Sequence, residues 1–192
     1  MKGTHGTFRK NVESIRKSGF WVNGEGARCG KGAYFWDYEN QNYRDEAFVL
    51  AKAHWKQSFK IGKCSNDEGN DCVVYDVEFE DSMFMVDTLE KEVRERLQIL
   101  LSQHEEKFSQ GTHPVDYSRL NGIYDYFIEI VERQLDRVVH AMRFTVHVDK
   151  RFFPKRYVYL NDPTCVVVKE PDTVVNVLEI NLVDMLNELC VN

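Results

Sequence analysis

Apolar positions along the chain change period several times, and each change predicts an element. Phe8, Val12 and Ile15 recur at helical spacing with Gly19 behind them, which predicts a short helix over residues 8–18. A glycine-rich loop, 24–32, then leads into Ala33-Tyr34-Phe35-Trp36, a short aromatic strand ending at Asp37. Ala47, Leu50, Ala51 and Trp55 predict a helix over 42–58. Residues 63–71 read as a polar loop, and 72–79 as a strand, which 83–86 extends or pairs with. Two long amphipathic helices are predicted next. One, over 89–108, carries Val93, Leu97, Leu100 and Leu101. The other, over 119–139, carries Ile123, Phe127, Ile130, Val131, Leu135 and Val138. The last third is strand-rich, with strands expected at 143–148, 156–160, 164–169 and 173–180 and a closing helix at 182–189. Strands at both ends with helices between them indicate an α+β domain. Residues 1–192 read as one domain, within which 87–140 form a helical insert.

Composition narrows the class. The chain has 192 residues, 43% hydrophobic and 12% aromatic, which suits one domain with its own core rather than a disordered chain. It holds no run of eighteen apolar residues and begins without the apolar stretch of a secretory signal, so neither a membrane span nor export is expected. Five cysteines at 29, 64, 72, 165 and 190 form no CxxC and no paired spacing, so reduced thiols in a cytoplasmic protein are expected. The histidines form no HxxxH and no Cys/His box, and no metal is expected. With 25 basic and 31 acidic residues the formal net charge is −6, which argues against bulk nucleic-acid binding. The charge is uneven, however. Lys2, Arg9, Lys10, Arg28 and Lys31 lie in the first 31 residues, where Glu13 and Glu25 are the only acids.

Two short motifs carry the candidate chemistry. His5-Gly6-Thr7 stands at the end of a short strand and before a helix. Gly30-Lys31-Gly32-Ala33-Tyr34-Phe35-Trp36-Asp37 follows about 25 residues later. The glycines fit neither a dinucleotide fingerprint nor a P-loop: no strand precedes and no helix follows directly, and no Ser or Thr follows Lys31. Alone, the second motif marks a turn, and His5 or Tyr34 alone reads as an ordinary terminal or core residue.

Together and in this order, the two motifs resemble the ADP-ribosyltransferase family, closest to its diphtheria-toxin and poly(ADP-ribose)-polymerase branch. The resemblance is sharp over residues 3–37 and architectural beyond about residue 55. It implies a split β-core of two packed, mainly antiparallel sheets with flanking helices. It also implies that NAD is the substrate, cleaved with release of nicotinamide while positive charge develops on the ribose. In that family's terms His5 holds a ribose hydroxyl, Gly6 pairs its backbone with the nicotinamide carboxamide, and Thr7 adds a ribose contact. Gly32 belongs to the cofactor-binding loop, and Tyr34 stacks on the nicotinamide ring. A second aromatic is expected from the following helix; Tyr43 is the candidate, with Tyr38 and Phe48 as rivals.

The family's third element, a glutamate at the start of a late strand, is missing. Asp162, Thr164 and Cys165 are the polar residues there, with Glu170 and Glu179 further away. Asn161-Asp162-Pro163 is equally an ordinary turn. Without that glutamate, a single transfer to a protein or nucleic-acid acceptor is expected rather than chain building. The alternatives are an NAD glycohydrolase, a non-catalytic NAD or ADP-ribose binding module and, last, an RNA 2′-phosphotransferase. Small stand-alone members of this kind resemble toxins of toxin–antitoxin and anti-phage systems, for which an antitoxin or other regulatory protein is the expected partner.

Overall fold

The computed structural model describes residues 1–22, 29–39, 43–60, 71–105, 116–146 and 163–180. The strands are β1 (Lys2–Phe8), β2 (Ala33–Tyr38), β3 (Cys72–Phe79), β4 (Met85–Asp87), β5 (Ala141–Thr145), β6 (Thr164–Val168) and β7 (Val174–Ile180). The helices are α1 (Val12–Ser18), α2 (Arg44–Lys60), α3 (Lys91–Gln103) and α4 (Tyr117–Leu135). The α+β class expected from the sequence is therefore present. The predicted strand at 156–160, the helix at 182–189 and most of the loop at 24–32 lie outside the described residues.

The seven strands form one mixed sheet in the order β4-β5-β6-β2-β1-β3-β7. This corrects the expectation of two packed sheets. The reason is β2, which pairs with β1 at three positions and with β6 along Ala33–Trp36, so the two halves share a continuous ladder. All pairings are antiparallel except β4–β5, and the chain between those two strands makes α3 and α4.

Two cores form, one on each face. On one face α2 packs its Ala47, Phe48, Leu50 and Ala51 against Trp36, Val74 and Val167, with Leu97 of α3 and Phe127 and Ile128 of α4 in the same cluster. On the other face Val12 and Phe20 close over Phe35, Tyr75, Val77, Phe79 and Val166. Period-2 alternation on β2 sorts its residues between them, as a strand buried on both faces requires.

Several boundaries differ from the sequence reading. Residue 8 ends a strand instead of opening a helix, because its backbone pairs with Cys72 and its ring stands 6.1 Å from Trp55. Residues 9–11 form a 3-10 turn before α1. The 83–86 segment neither extends β3 nor pairs with it: β3 has β1 on one edge and β7 on the other, so β4 joins β5 at the far end of the sheet. The α4 stripe ends early, leaving Leu135 and Val138 exposed.

Candidate functional site

The β1–β2 ladder runs Lys2↔Tyr38, Gly3↔Asp37, Thr4↔Trp36 and stops. Past that point β1 stays with β3 as far as Phe8↔Cys72, while β2 stays with β6 from Ala33. The sheet therefore splits between two of its central strands. Backbone groups of β1 beyond Thr4 take no part in the β1–β2 ladder.

His5 stands where the split opens. Its Nδ1 lies 2.8 Å from the Tyr34 carbonyl oxygen. A carbonyl only accepts, so Nδ1 carries the proton and, in the neutral ring, Nε2 is an acceptor. The half-buried ring meets Phe20 at 5.2 Å and Phe35 at 5.5 Å. Burial among these rings lowers the His5 pKa, partly offset by the bond to Tyr34. The imidazole is thus neutral near pH 7, oriented through one nitrogen and able to receive a hydroxyl proton donor at the other.

Tyr34 closes the glycine segment. Its hydroxyl donates to the Gly30 carbonyl at 2.8 Å and accepts from the Cys29 amide at 3.1 Å. Gly30 has φ of +92°, a conformation that favours glycine. The Lys31 amide donates to Asp125 of α4 at 2.9 Å, and Tyr124 of α4 is hydrogen-bonded to Cys29. The helix α4 therefore anchors this segment, a role that the sequence did not suggest.

The two other motif glycines are explained by packing. A Cβ on Gly6 would lie 2.2 Å from the Ala51 carbonyl oxygen of α2, and one on Gly32 would lie 2.3 Å from Val167. The Thr7 hydroxyl accepts from Asn11 at 3.0 Å and holds the 3-10 turn. Tyr43 stands 59% exposed ahead of α2. Its rivals are occupied: Tyr38 donates to Asp76, and Phe48 is buried under the Arg44 guanidinium.

The candidates for the third group separate. Asp162 lies outside the described residues. Cys165 is buried in the α2-side core, where burial raises its thiol pKa well above the usual range. Thr164 is hydrogen-bonded to Asp37. Glu170 is exposed and starts the 3-10 turn Pro171–Thr173. Glu179 is aligned with His5 across three strands, through His5↔Tyr75 and Tyr75↔Glu179. Its carboxylate holds Arg16 at 2.8 Å and Arg9 at 3.8 Å.

One cluster has no local signal in the sequence. The Arg143 guanidinium contacts Asp37 at 2.7 Å, Glu39 at 2.9 Å and Asp87 at 3.3 Å. It ties β5 to β2 and β4. The Asp37 side chain is only 1% exposed, and burial raises its pKa against the pull of Thr164 and Arg143.

Among the described residues no group of three His, Cys, Asp or Glu could hold a metal ion, and no helix is long and apolar enough to cross a membrane. No protein-family model matches the chain, and neither does any curated protein.

Proposed function

We propose that this chain is an NAD-dependent mono-ADP-ribosyltransferase whose substrate enters the split between β1 and β2. The observation that carries the reading is the His5–Tyr34 bridge. A neutral, oriented imidazole sits where two central strands stop pairing, with backbone groups of β1 left out of that ladder. Such a place suits a ligand that offers both hydroxyls and an amide, as NAD does. In the reaction the bond from ribose C1′ to nicotinamide breaks and its electron pair leaves with nicotinamide. A nucleophile on a protein or nucleic acid then bonds to C1′ and loses its proton. A carboxylate near the developing cation lowers the barrier, and Asp162 remains the candidate. A toxin or effector role in the cytoplasm, held in check by an antitoxin, belongs to this reading.

One observation favours a second reading, a binding module for NAD or ADP-ribose. The β6 sequence Thr-Cys-Val-Val-Val holds no carboxylate, its Thr164 is hydrogen-bonded to Asp37, and its Cys165 is core.

Incubating the pure protein with NAD separates the two. The expected result is nicotinamide release, with label transfer when cell lysate is added and loss of both in His5→Ala. Release without transfer indicates a glycohydrolase. No release under either condition overturns the enzyme reading and leaves the binding module, which NAD calorimetry then tests.

A further inference from the structure

The glycine segment ahead of β2 is held from far along the chain. Lys31 and Asp125 are 94 residues apart, yet the Lys31 amide donates to Asp125 Oδ1 at 2.9 Å. Gly30 lies against the same carboxylate: a Cβ there would stand 3.2 Å from Asp125 Oδ1 and 3.7 Å from Tyr124 Cβ. Tyr124 is in turn hydrogen-bonded to Cys29. Cys29, Gly30 and Lys31 therefore rest, one after another, on two adjacent residues of α4.

That support is firm. Phe127 and Ile128, at i+3 and i+4 from Tyr124, are buried in the α2-side core, and Tyr124 packs against the same cluster. Beyond Lys31 the chain enters β2, pairs Ala33 with Val168 and Tyr34 with Val167, and offers the Tyr34 carbonyl to His5 Nδ1. One line of contacts thus runs from the Asp125 carboxylate, through the glycine segment, to the imidazole at the split.

The Asp125 bond does little for the fold as such. It is exposed, and water would accept from the Lys31 amide almost as well. Alanine is also the better helix former at a helix interior. The closure of the turn comes from Tyr34, whose hydroxyl bonds both Cys29 and Gly30. What α4 adds is the place in which the turn stands. A fixed place matters for a segment that leads into one wall of a binding split, because ordering it on binding would weaken the ligand.

We propose that Asp125 is a positioning residue for NAD: it holds the Cys29–Lys31 turn where β2 and His5 can receive the dinucleotide. This deepens the NAD reading and rests on it.

The test compares the full chain with Asp125→Ala and Asp125→Asn. NAD calorimetry gives Kd, steady-state nicotinamide release gives KM and kcat, and hydrogen exchange at the Lys31 amide reports the anchor itself. The calorimetry applies equally to an enzyme and to a binding module. In Asp125→Ala the Lys31 amide should exchange faster, and Kd and KM for NAD should rise about tenfold with kcat unchanged, because the turn then spends most of its time out of place. Asp125→Asn keeps Oδ1 as an acceptor, so it should restore the protection and most of the affinity. Unchanged melting curves verify that both variants fold. NAD affinity untouched in Asp125→Ala, or an early melt at unchanged KM, makes the contact structural and overturns the proposal. So does an affinity that falls equally in Asp125→Asn. A parent chain that binds no NAD overturns the NAD reading and the proposal with it, whereas a parent and an Asp125→Ala variant that bind equally well overturn the positioning alone.

Discussion

Replacing Gly6 with alanine asks why a glycine follows His5. In the family that the motif resembles, the glycine lets a ligand amide come close to the strand. In this fold the space beside it is filled by α2. The new Cβ would lie 2.2 Å from the Ala51 carbonyl oxygen, 2.7 Å from its carbonyl carbon and 3.3 Å from its Cα. All three are helix backbone atoms, so no side chain can rotate aside. Relief requires β1 and α2 to part by about 1 Å, since non-bonded carbon contacts settle near 3.5 Å. The helix is poorly placed to yield. Thr4 Oγ1 donates to the Ala47 carbonyl at 2.7 Å, and Ala47, Phe48, Leu50 and Ala51 are all buried at 5% exposure or less.

Overpacking of this kind costs about 1–3 kcal/mol, and a backbone obstacle belongs at the upper end. For a chain of this size that is a fall in Tm of about 5–10 °C. Gly122 provides the opposite control. It lies within α4, and a Cβ there meets nothing within 4 Å, so Gly122→Ala should stabilise by about 1 kcal/mol through helix propensity alone. Urea unfolding followed by circular dichroism measures both. If Gly6→Ala unfolds within about 0.5 kcal/mol of the parent, α2 is not seated against β1 as described. If it also loses NAD turnover at unchanged stability, the glycine serves the ligand and not the helix.

Three further outcomes are expected. Removing the Arg143 guanidinium, as in Arg143→Met, strands the Asp37 carboxylate and should cost about 3–5 kcal/mol, with Asp37→Asn in the same chain recovering part of it; additive losses in urea unfolding would refute the pairing. Tyr34→Phe keeps the ring near Phe144 but removes two hydrogen bonds to the Cys29–Gly30 segment, worth about 1–3 kcal/mol locally; hydrogen exchange at the Cys29 amide should accelerate, and unchanged protection would count against the anchor. His5 has a folded pKa below its ordinary 6.5, so below that pH the unfolded chain binds more protons and stability falls with acidification, by at most about 1.4 kcal/mol per pH unit; urea midpoints at pH 7.5, 6.5 and 5.5 should show a slope that His5→Gln flattens, and equal slopes would sink the linkage.

The elements most legible in the sequence were those whose signal is local. Cys72–Phe79 is a strand at the predicted bounds, and α2 and α4 start within two residues of the expected positions. What failed was partnership. The spacing of Phe8, Val12 and Ile15 imitates one helical stripe, yet Phe8 leans on Trp55 of α2 while Val12 belongs to the core on the other face. The coincidence arises because a strand end and a helix start each place an apolar residue inward. Likewise 83–86 follows β3 so closely that a hairpin is the economical reading. Only the occupation of both β3 edges, by strands from the two chain ends, sends it to β5. The Arg143 cluster is invisible for the same reason, since its three carboxylates lie 56 to 106 residues away in sequence.

Glycines and aromatics are ambiguous in a motif because packing and ligand binding ask the same thing of them. Here packing accounts for most of the set. Gly6 makes room for α2, Gly32 for β6, and Gly30 supplies a turn. Thr7 ties down the 3-10 turn, and the Tyr34 hydroxyl closes the loop. Each of these residues could stand unchanged in a protein that binds nothing. His5 is different. A purely structural role at that place, among Phe20 and Phe35, would be filled more cheaply by an apolar side chain, since a buried polar ring costs desolvation. One nitrogen recovers that cost on the Tyr34 carbonyl, and the other takes no hydrogen bond from any described residue. The functional reading therefore rests on the imidazole Nε2 at the mouth of the β1–β2 split, and His5→Phe is the variant that divides the two roles. It should keep or raise the melting temperature while abolishing NAD binding. A variant that melts early and still binds NAD would make His5 a structural residue and take the proposed site with it.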